Sequence, residues 1–258
     1  MKRTMLFIVS LMAGVSLLNA QDAASIMKAA KDRIQMNTIS SRSRMVITAK
    51  NGSTTERIID QYSKDDTRGN ARTVIVFQQP KNVAGTRFLT MDTASGGSDR
   101  WIYLPSLGKV RRIAASESGG SFMGTDFSYD DISSTDREVN LDTHTLVREE
   151  TLNGAACYVI RSVPKESGYQ YSQTIVWVDK NSFLIYKSEM YDRRDRKVKV
   201  MEMSNFKDVQ GRLTPTQTKI ATVAAGTSTT IYLDIVRYDD PIPESVFTTA
   251  YLETGKTR

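Results

Sequence analysis

The stretch Asp99–Asp131, DRWIYLPSLGKVRRIAASESGGSFMGTDFSYDD, decides how this sequence is interpreted. It joins two strand-like segments to a Gly- and Ser-rich loop that carries four large apolar side chains, Phe122, Met123, Phe127 and Tyr129. A polar loop with so much apolar surface must bury it, because exposed apolar area costs free energy in water. The stretch therefore predicts a β-protein whose loop packs onto an apolar core or into an apolar cavity.

The N-terminal segment has the features of a secretion signal. A lysine and an arginine precede an apolar segment of about 14 residues, Met5–Leu18, and Ala20 is a small residue at a plausible cleavage point. This segment is shorter than the ~20 residues of a membrane-spanning helix. We expect residues 1–20 to be a signal peptide that is removed and residues 21–258 to fold as a single domain. An uncleaved anchor is the alternative, because Leu18 is an imperfect match at the −3 position.

Composition narrows the class of protein further. The formal charge is +6, and removal of the two basic residues of the signal lowers it by two, so nucleic acid is not an expected partner. Cys157 is the only cysteine, which excludes an internal disulfide and leaves stability to apolar burial. No cysteine follows the apolar segment of the signal, so a lipid anchor is not expected. The processed chain is predicted to be soluble.

A single helix is predicted ahead of the strands. Asp22 can cap its first turn, and Met27, Ala30 and Ile34 follow at spacings of three and four, which place them on one face. This pattern is typical of an amphipathic helix that lies on an apolar surface. The pattern ends near Asn37.

After the helix the apolar pattern changes to a period of two, which indicates β-strands. Asn51-Gly52 is the strongest short hairpin signal in the chain. Val74 and Val76 fall on one face of their strand and the intervening Ile75 on the other, so both faces are predicted to be covered. The predicted strands are 44–49, 56–62, 71–78, 86–91, 100–104, 110–114, 157–163, 174–178, 183–190, 197–203, 214–222 and 229–237.

A sheet of ten or more strands is too wide to stay flat, and it is expected to curl. We therefore predict a mainly β (α+β) fold, in which a strongly curved antiparallel sheet forms an incomplete barrel. The N-terminal helix and the loop Gly119–Asp131 are the natural plugs for its concave face. Because two such elements do not fill a large concave interior, an apolar ligand cavity is also predicted.

Side-chain alternation assigns twelve residues to the wall of this cavity. The candidate lipid-binding residues are Met45, Ile47, Val74, Val76, Phe88, Trp101, Tyr103, Phe122, Met123, Phe127, Tyr129 and Trp177. Ile231, Leu233 and Ile235 are expected to share a further strand face. The chain is also rich in methionine, which suits adaptable apolar surfaces. Each of these residues, taken alone, is better explained as an ordinary core residue, and the argument for a cavity rests on all of them together.

Residues for chemistry are sparse. His144 is the only histidine, in a polar stretch where we expect an exposed residue without a catalytic role. Cys157 is predicted to be a buried core thiol. Asp126, Asp130 and Asp131 lack the spacing of a calcium loop and are expected to be solvated. We therefore predict no enzyme, no metal site and no cofactor.

Basic residues cluster at a predicted hairpin tip. They are Arg193, Arg194, Arg196 and Lys197. One interpretation is a solvated turn, and the other is a docking patch for an acidic partner or for lipid headgroups. The segment Lys109–Arg112 offers the same two interpretations.

Several segments together resemble the LolA-like outer membrane lipoprotein-sorting protein family of Gram-negative bacteria. The segments that carry the resemblance are Trp101–Pro105, Val110–Ile113, Gly120–Asp131, Gly154, Cys157–Ile160, Pro164-Lys165, and the meander from Trp177 to Pro215. The most specific of them is the string Phe-Met-Gly-Thr-Asp-Phe-Ser-Tyr within Gly120–Asp131. The resemblance covers nearly all of the chain after the signal.

The resemblance implies a half-closed antiparallel barrel with a helical lid, located in the periplasm. It further implies a monomer that binds the acyl chains of lipoproteins or lipids for transfer toward the outer membrane. The partners implied are an inner-membrane lipid transporter and an outer-membrane acceptor. An arginine on an early strand matters in this family, and Arg42 and Arg44 are the candidates for that polar gate.

Three functions follow as hypotheses. The first is a periplasmic lipid or lipoprotein carrier, in which opening of the loop gates access to the cavity. The second is a non-enzymatic accessory or sensor subunit that docks to an envelope lipid transporter through the basic hairpin. The third, an enzyme, lacks a recognisable nucleophile, metal set or cofactor motif.

Overall fold

A computed structural model describes residues 23–33, 36–93, 97–133 and 138–257. The expected signal peptide, its cleavage point, the helix cap Asp22 and the helix residue Ile34 lie outside the described residues. The helices span residues 23–32 (α1), Tyr129–Ser133 (α2) and Thr249–Thr254 (α3). The strands are Thr38–Thr48 (β1), Thr54–Asp65 (β2), Ala71–Gln79 (β3), Arg87–Asp92 (β4), Ser98–Leu104 (β5), Lys109–Ile113 (β6), Asp142–Leu152 (β7), Ala155–Pro164 (β8), Gln173–Asp179 (β9), Ile185–Tyr191 (β10), Lys197–Val209 (β11), Arg212–Thr222 (β12) and Thr227–Tyr238 (β13).

The prediction of a mainly β, antiparallel fold with few helices is confirmed. The pairings between the described strands are antiparallel. Strand β7 was not predicted, because its sequence is polar and lacks a clear alternation. Contacts divide the chain into two compact units, formed by the described residues of Met1–Arg33 with Glu138–Lys197 and of Ile34–Arg137 with Val198–Arg258.

The smaller unit contains α1 and the strands β7 to β10, each paired antiparallel with its neighbour in the chain. Helix α1 buries Ala23 and Ile26 against Ile160, Val176 and Val178 of β8 and β9. The predicted amphipathic helix therefore covers one face of these strands. Its apolar spacing supplies the buried side, and burial of that side stabilises a helix too short to persist alone.

Among its described residues, the larger unit forms a sheet of nine strands in the order β6-β5-β4-β3-β2-β1-β13-β12-β11. One face, here called the loop face, carries a core cluster covered by the loop before and within α2. Its buried strand residues are Met45, Ile59, Ile75, Phe77, Phe88, Ile102, Ile113 and Ile220. The opposite face, here called the C-terminal face, is covered by the segment after β13. Its buried residues are Val74, Val76, Leu89, Ile242, Val246, Phe247 and Leu252.

These two clusters agree with the prediction that both faces of β3 are covered. One register expectation was wrong. The pairing of β1 with β13 shifts between Arg42 and Ser43, so that Ser43 faces Leu233 and Arg42 faces Ile235. The extra residue, Asp234, breaks the alternation, as a β-bulge does. Ile231 and Leu233 share the loop face, whereas Ile235 pairs with a residue of the C-terminal face.

Candidate apolar binding site

The loop that covers the loop face is itself a tight hairpin. The Phe122 N–H donates to the Phe127 carbonyl oxygen at 2.8 Å, and the Thr125 N–H donates to the Phe122 carbonyl oxygen at 3.0 Å. Met123 and Gly124 form its tip with φ of 52° and 74°, a left-handed conformation that glycine adopts without a Cβ penalty. These local bonds give the loop a fixed shape.

The apolar side chains of the loop are inserted into the core. Phe122 is fully buried, and its ring centroid lies 5.8 Å from that of Phe77, 5.1 Å from that of Phe88 and 5.6 Å from that of Tyr129. Two of these contacts are edge-to-face, a favourable arrangement of ring quadrupoles. Phe127 is also buried in the same cluster. The loop therefore packs on a core, the first of the two outcomes predicted from its sequence.

Asp126 bonds the loop to the end of β12 and to the start of β13. The hydroxyls of Thr222, Thr227 and Thr229 donate to its carboxylate at 2.6, 2.5 and 2.8 Å. In return, the Asp126 N–H donates to the Thr229 hydroxyl oxygen at 3.0 Å. The expectation that Asp126 is solvated was wrong, because these donors replace water around a carboxylate that is only 7% exposed.

Asp130 and Asp131 are likewise buried rather than solvated. Asp130 pairs with Arg100 of β5 at 2.7 Å and accepts from the Ser118 hydroxyl at 3.0 Å. Asp131 pairs with Lys199 of β11 at 2.6 Å. Both expectations were wrong, because distant strands supply the cations that compensate the two carboxylates. These two ion pairs thus connect the loop to strands near both edges of the sheet in the larger unit.

An arginine that the sequence analysis missed also contacts the loop. Arg57 of β2 donates to the Met123 carbonyl oxygen at 2.7 Å, and its guanidinium lies 5.7 Å from the Phe77 ring centroid. Burial lowers the pKa of the Arg57 guanidinium, because the charged form loses solvent. The pairing of β1 with β2 places Arg57 opposite Met45, on the loop face.

The two predicted gate arginines lie elsewhere. Arg42 forms two hydrogen bonds to Asp60, at 2.7 and 2.8 Å, and Asp60 pairs with Val76 of the C-terminal face. Arg44 lies 4.6 Å from the ring centroid of Tyr232, one residue away from Met45 and therefore on the opposite face from it. Neither is positioned to hold the loop, which Arg57 contacts directly.

The twelve candidate lipid-binding residues fall into three groups. On the loop face lie Met45, Ile47, Phe88, Phe122, Met123, Phe127 and Tyr129. On the C-terminal face lie Val74, Val76, Trp101 and Tyr103. Trp177 belongs to a cluster of the smaller unit, with Cys157 and Val159. The structure therefore brings together seven of the twelve, most of them as core.

Beyond the loop, the loop face continues as a strip of half-buried apolar side chains. We call this the apolar strip, and its members are Met201, Met203, Ile231, Leu233 and Val236. Ile231 pairs with Met45, and Met201 pairs with Ile220, both residues of the loop-face core. The strip is thus continuous with that core but retains solvent-exposed surface. Its methionines could not be assigned from the sequence, because their face depends on strand register.

His144 and Cys157 were the two residues considered for nucleophilic chemistry. His144 is buried in β7, with Nδ1 2.8 Å from the Ser162 hydroxyl and Nε2 2.9 Å from the Val139 carbonyl oxygen. The expectation of an exposed histidine was wrong, because β7 was not predicted as a strand. Cys157 is buried as predicted, and burial raises the pKa of its thiol. Among the described residues, no group of three or more possible metal ligands converges.

The basic hairpin is exposed, as expected for a turn. Arg193 donates to the Ser167 carbonyl oxygen, and Arg196 pairs with Asp192 at 2.7 Å. Lys197 pairs with Glu189 at 3.0 Å. Burial of Glu189 opposes its ionisation, but hydrogen bonds from Lys187, Lys197 and Tyr191 outweigh this and lower its pKa to about 2.

A first prediction concerns the Asp126 anchor. Replacing Asp126 by alanine is expected to lower the free energy of unfolding by about 2 kcal/mol, because the buried Thr229 hydroxyl and the half-buried hydroxyls of Thr222 and Thr227 lose their acceptor. Urea denaturation of the two proteins measures the difference. Asp126→Asn is the matched control, since an amide can accept and donate in the same place and should cost less. Equal losses in both variants would contradict the assigned hydrogen bonds.

Comparisons with known proteins agree with this architecture. A family model described as "Uncharacterized protein" matches residues 69–254. A DUF1329 family protein from Desulfovibrio piger is 29% identical, with a TM-score of 0.87 over 91% of this chain and 99% of that one. A putative outer membrane lipoprotein-sorting protein domain from Vibrio parahaemolyticus is 25% identical, with a TM-score of 0.86 over 91% and 100% of the two chains.

A LolA superfamily protein from Nitrosomonas europaea shares the fold, with a TM-score of 0.70 at 19% identity over 89% of this chain and 98% of that one. No curated protein matches the chain in sequence. None of the helices in the described part of the chain has the length and apolar character needed to span a membrane.

Proposed function

The chain belongs to the DUF1329 family and shares its fold with outer membrane lipoprotein-sorting and LolA superfamily proteins, and from this premise we propose a function. The protein is a periplasmic carrier, not an enzyme, that binds the acyl chains of lipoproteins or lipids. The observation that carries the proposal is the apolar strip, which continues the loop-face core but remains half exposed. The name of the Vibrio relative supports the same class of cargo.

The chemistry of the strip suits an acyl chain. Burial of each methylene contributes about 0.8 kcal/mol, so a chain laid along several apolar side chains binds without any specific polar contact. Met201 and Met203 can adjust their three rotatable side-chain bonds to different chains. Ile231 and Leu233 of β13 lie on the same face of the sheet as the two methionines, with β12 between them. Their branched side chains make this part of the strip more rigid.

The loop acts in this proposal as a fixed wall rather than as a gate. Phe122 is buried among three aromatic rings, and Asp126, Asp130 and Asp131 are each tied to the sheet. Opening the loop would expose these rings and leave buried carboxylates without partners, which is costly. We therefore infer that cargo lies on the strip beside the closed loop.

The second hypothesis, docking through the basic hairpin, has less support. Contacts within the smaller unit already engage Arg193, Arg196 and Lys197. Charges that are satisfied internally contribute less to an external partner, because their pairs must first be broken. The apolar side chains of the strip form no ion pairs that a ligand would have to break, so the strip is the better supported binding site.

The test is binding of a fluorescent dansyl fatty acid by strip variants. Met203→Glu and Leu233→Glu are each expected to weaken binding at least tenfold, because burying a carboxylate against an acyl chain costs more than about 1.4 kcal/mol. Val46→Glu and Val200→Glu are matched controls, since both half-buried residues lie on the opposite face of the same sheet. Equal losses in all four variants would contradict the assignment of the strip.

Native mass spectrometry of protein purified from its periplasm tests the cargo directly. An acyl-bearing adduct should be ejected from the wild-type protein and be reduced in Met203→Glu. Protein that is repeatedly empty, and that takes up no lipid from phospholipid vesicles, would count against a carrier.

A further inference from the structure

One end of the sheet in the larger unit differs from the other in charge and polarity. Because neighbouring strands run antiparallel, the turns at residues 49–53, 80–86, 105–108 and 223–226 lie at the same end. We call these four turns the basic end. The turns 66–70 and 210–211 and the segment that follows β13 begin at the opposite end.

The basic end carries only positive charge in its turns. Lys50, Lys81 and Lys109 lie in or directly beside these turns, all are exposed, and no aspartate or glutamate occurs in the four turns. At the opposite end, the corresponding segments carry Asp66, Arg68 and the pair Asp239-Asp240, so acidic residues outnumber the basic one. The charge asymmetry therefore follows the long axis of the strands.

Two large apolar side chains project from the same basic turns. Leu107 is 56% exposed and Val223 is 50% exposed. Both sit in short turns between paired strands, with the Leu107 N–H donating to the Leu104 carbonyl oxygen at 2.9 Å. Leu107 and Val223 are single exposed apolar side chains, and their place on turn tips beside the lysines is compatible with shallow insertion between lipid headgroups.

The spacing of these residues favours an extended surface over a small ligand. Leu107 lies between β5 and β6, and Val223 lies between β12 and β13, six strand spacings away in the sheet order. At ~4.8 Å for each spacing, they are separated by about 29 Å along the sheet. Lys50 and Lys81 lie in the two turns between them. A pocket for one molecule does not extend so far.

We propose that the basic end docks on the surface of an anionic phospholipid membrane. Lysines at the tips contact lipid phosphates, and Leu107 and Val223 insert at the boundary between headgroups and acyl chains. The proposal goes beyond cargo binding and does not depend on it, because none of these residues belongs to the apolar strip. It adds a site at which the protein meets the membrane itself.

The first test is co-sedimentation with vesicles made of equal parts of phosphatidylglycerol and phosphatidylcholine. Binding is expected, and it should weaken with added salt because exposed charges are screened. The variant Lys50→Glu/Lys81→Glu/Lys109→Glu should lose binding at least tenfold. The matched control Arg68→Glu/Lys207→Glu/Lys219→Glu changes the net charge equally at exposed residues outside the basic end. Equal loss in both variants would overturn the proposal.

The second test locates the contact. A nitrobenzoxadiazole label at Ser106→Cys should shift its emission to the blue with these vesicles, and a label at Thr67→Cys at the opposite end should not. Leu107→Ser/Val223→Ser should remove the shift. Met203→Glu should keep it, which separates failure of membrane docking from failure of the proposed carrier function. Absence of a shift at Ser106→Cys, or a shift at Thr67→Cys alone, would overturn the proposal.

Discussion

Replacing Phe122 by alanine is expected to lower the free energy of unfolding of the larger unit by about 3–5 kcal/mol. The side chain is fully buried and contacts the rings of Phe77, Phe88 and Tyr129. Its removal takes away the transfer free energy of a phenyl ring and leaves a cavity that the surrounding strands cannot close. The edge-to-face contacts with two of these rings are lost as well.

Urea denaturation followed by tryptophan fluorescence measures this loss. The chain has two tryptophans, Trp101 in the larger unit and Trp177 in the smaller. In a Trp177→Phe background, the signal of Trp101 therefore reports the larger unit. Met123→Ala is the matched control from the same loop, because Met123 is half-buried and should cost much less. A loss below about 1 kcal/mol for Phe122→Ala would contradict its place in the core.

The fold could be predicted from the sequence because the features that determine it are local. The turn around Asn51-Gly52 joins β1 to β2, and β3 alternates between the two core clusters from Val74 to Phe77. The loop could also be predicted to bury its aromatic residues, because it carries too much apolar surface for a solvated segment. Short connections between strands then limit the topologies available.

The site was harder to predict, because its residues are assembled by long-range register. Asp126 is bonded to Thr222, Thr227 and Thr229, which follow it by about a hundred positions. No local pattern in the sequence announces such partners, so the carboxylate looked like part of a solvated loop. The bulge opposite Arg42 has the same consequence for Ile235, because one extra residue moves a side chain to the other face.

The arginine that contacts the loop, Arg57, was not predicted from the sequence. The role of Arg42 and Arg44 as a polar gate stays a prediction. A two-residue Asn51-Gly52 turn would pair Met45 with Ile58, whereas the observed turn also includes Lys50 and pairs Met45 with Arg57. The face of Arg57 therefore depends on a turn length that the Asn-Gly dipeptide does not fix. In a sheet, the contacts of a side chain are determined more by its partner on the adjacent strand than by its neighbours in the sequence.

The second large effect concerns the ion pair that ties α2 to β5. Replacing Arg100 by leucine is expected to cost about 3–5 kcal/mol, because it leaves the Asp130 carboxylate buried without its cation. Both side chains are nearly buried, at 11% and 12% exposure, and their N–O distance is 2.7 Å. Arg100 also donates to the Ser133 hydroxyl at 3.3 Å, so the change loosens both ends of the short helix.

The double variant Arg100→Leu/Asp130→Leu separates two contributions to this loss. One is the ion pair itself, and the other is the cost of leaving the Asp130 carboxylate buried without a cation. If the cost of Arg100→Leu arises from an uncompensated carboxylate, removing Asp130 as well should recover most of the lost free energy of unfolding. Urea denaturation in the Trp177→Phe background again measures the larger unit. The pair Arg111–Glu117 is the control, because it is exposed and Arg111→Leu should cost about 1 kcal/mol or less. A double variant as unstable as the sum of the single variants would show that the two residues act independently, and that the loop is held by packing around Phe122 rather than by this buried pair.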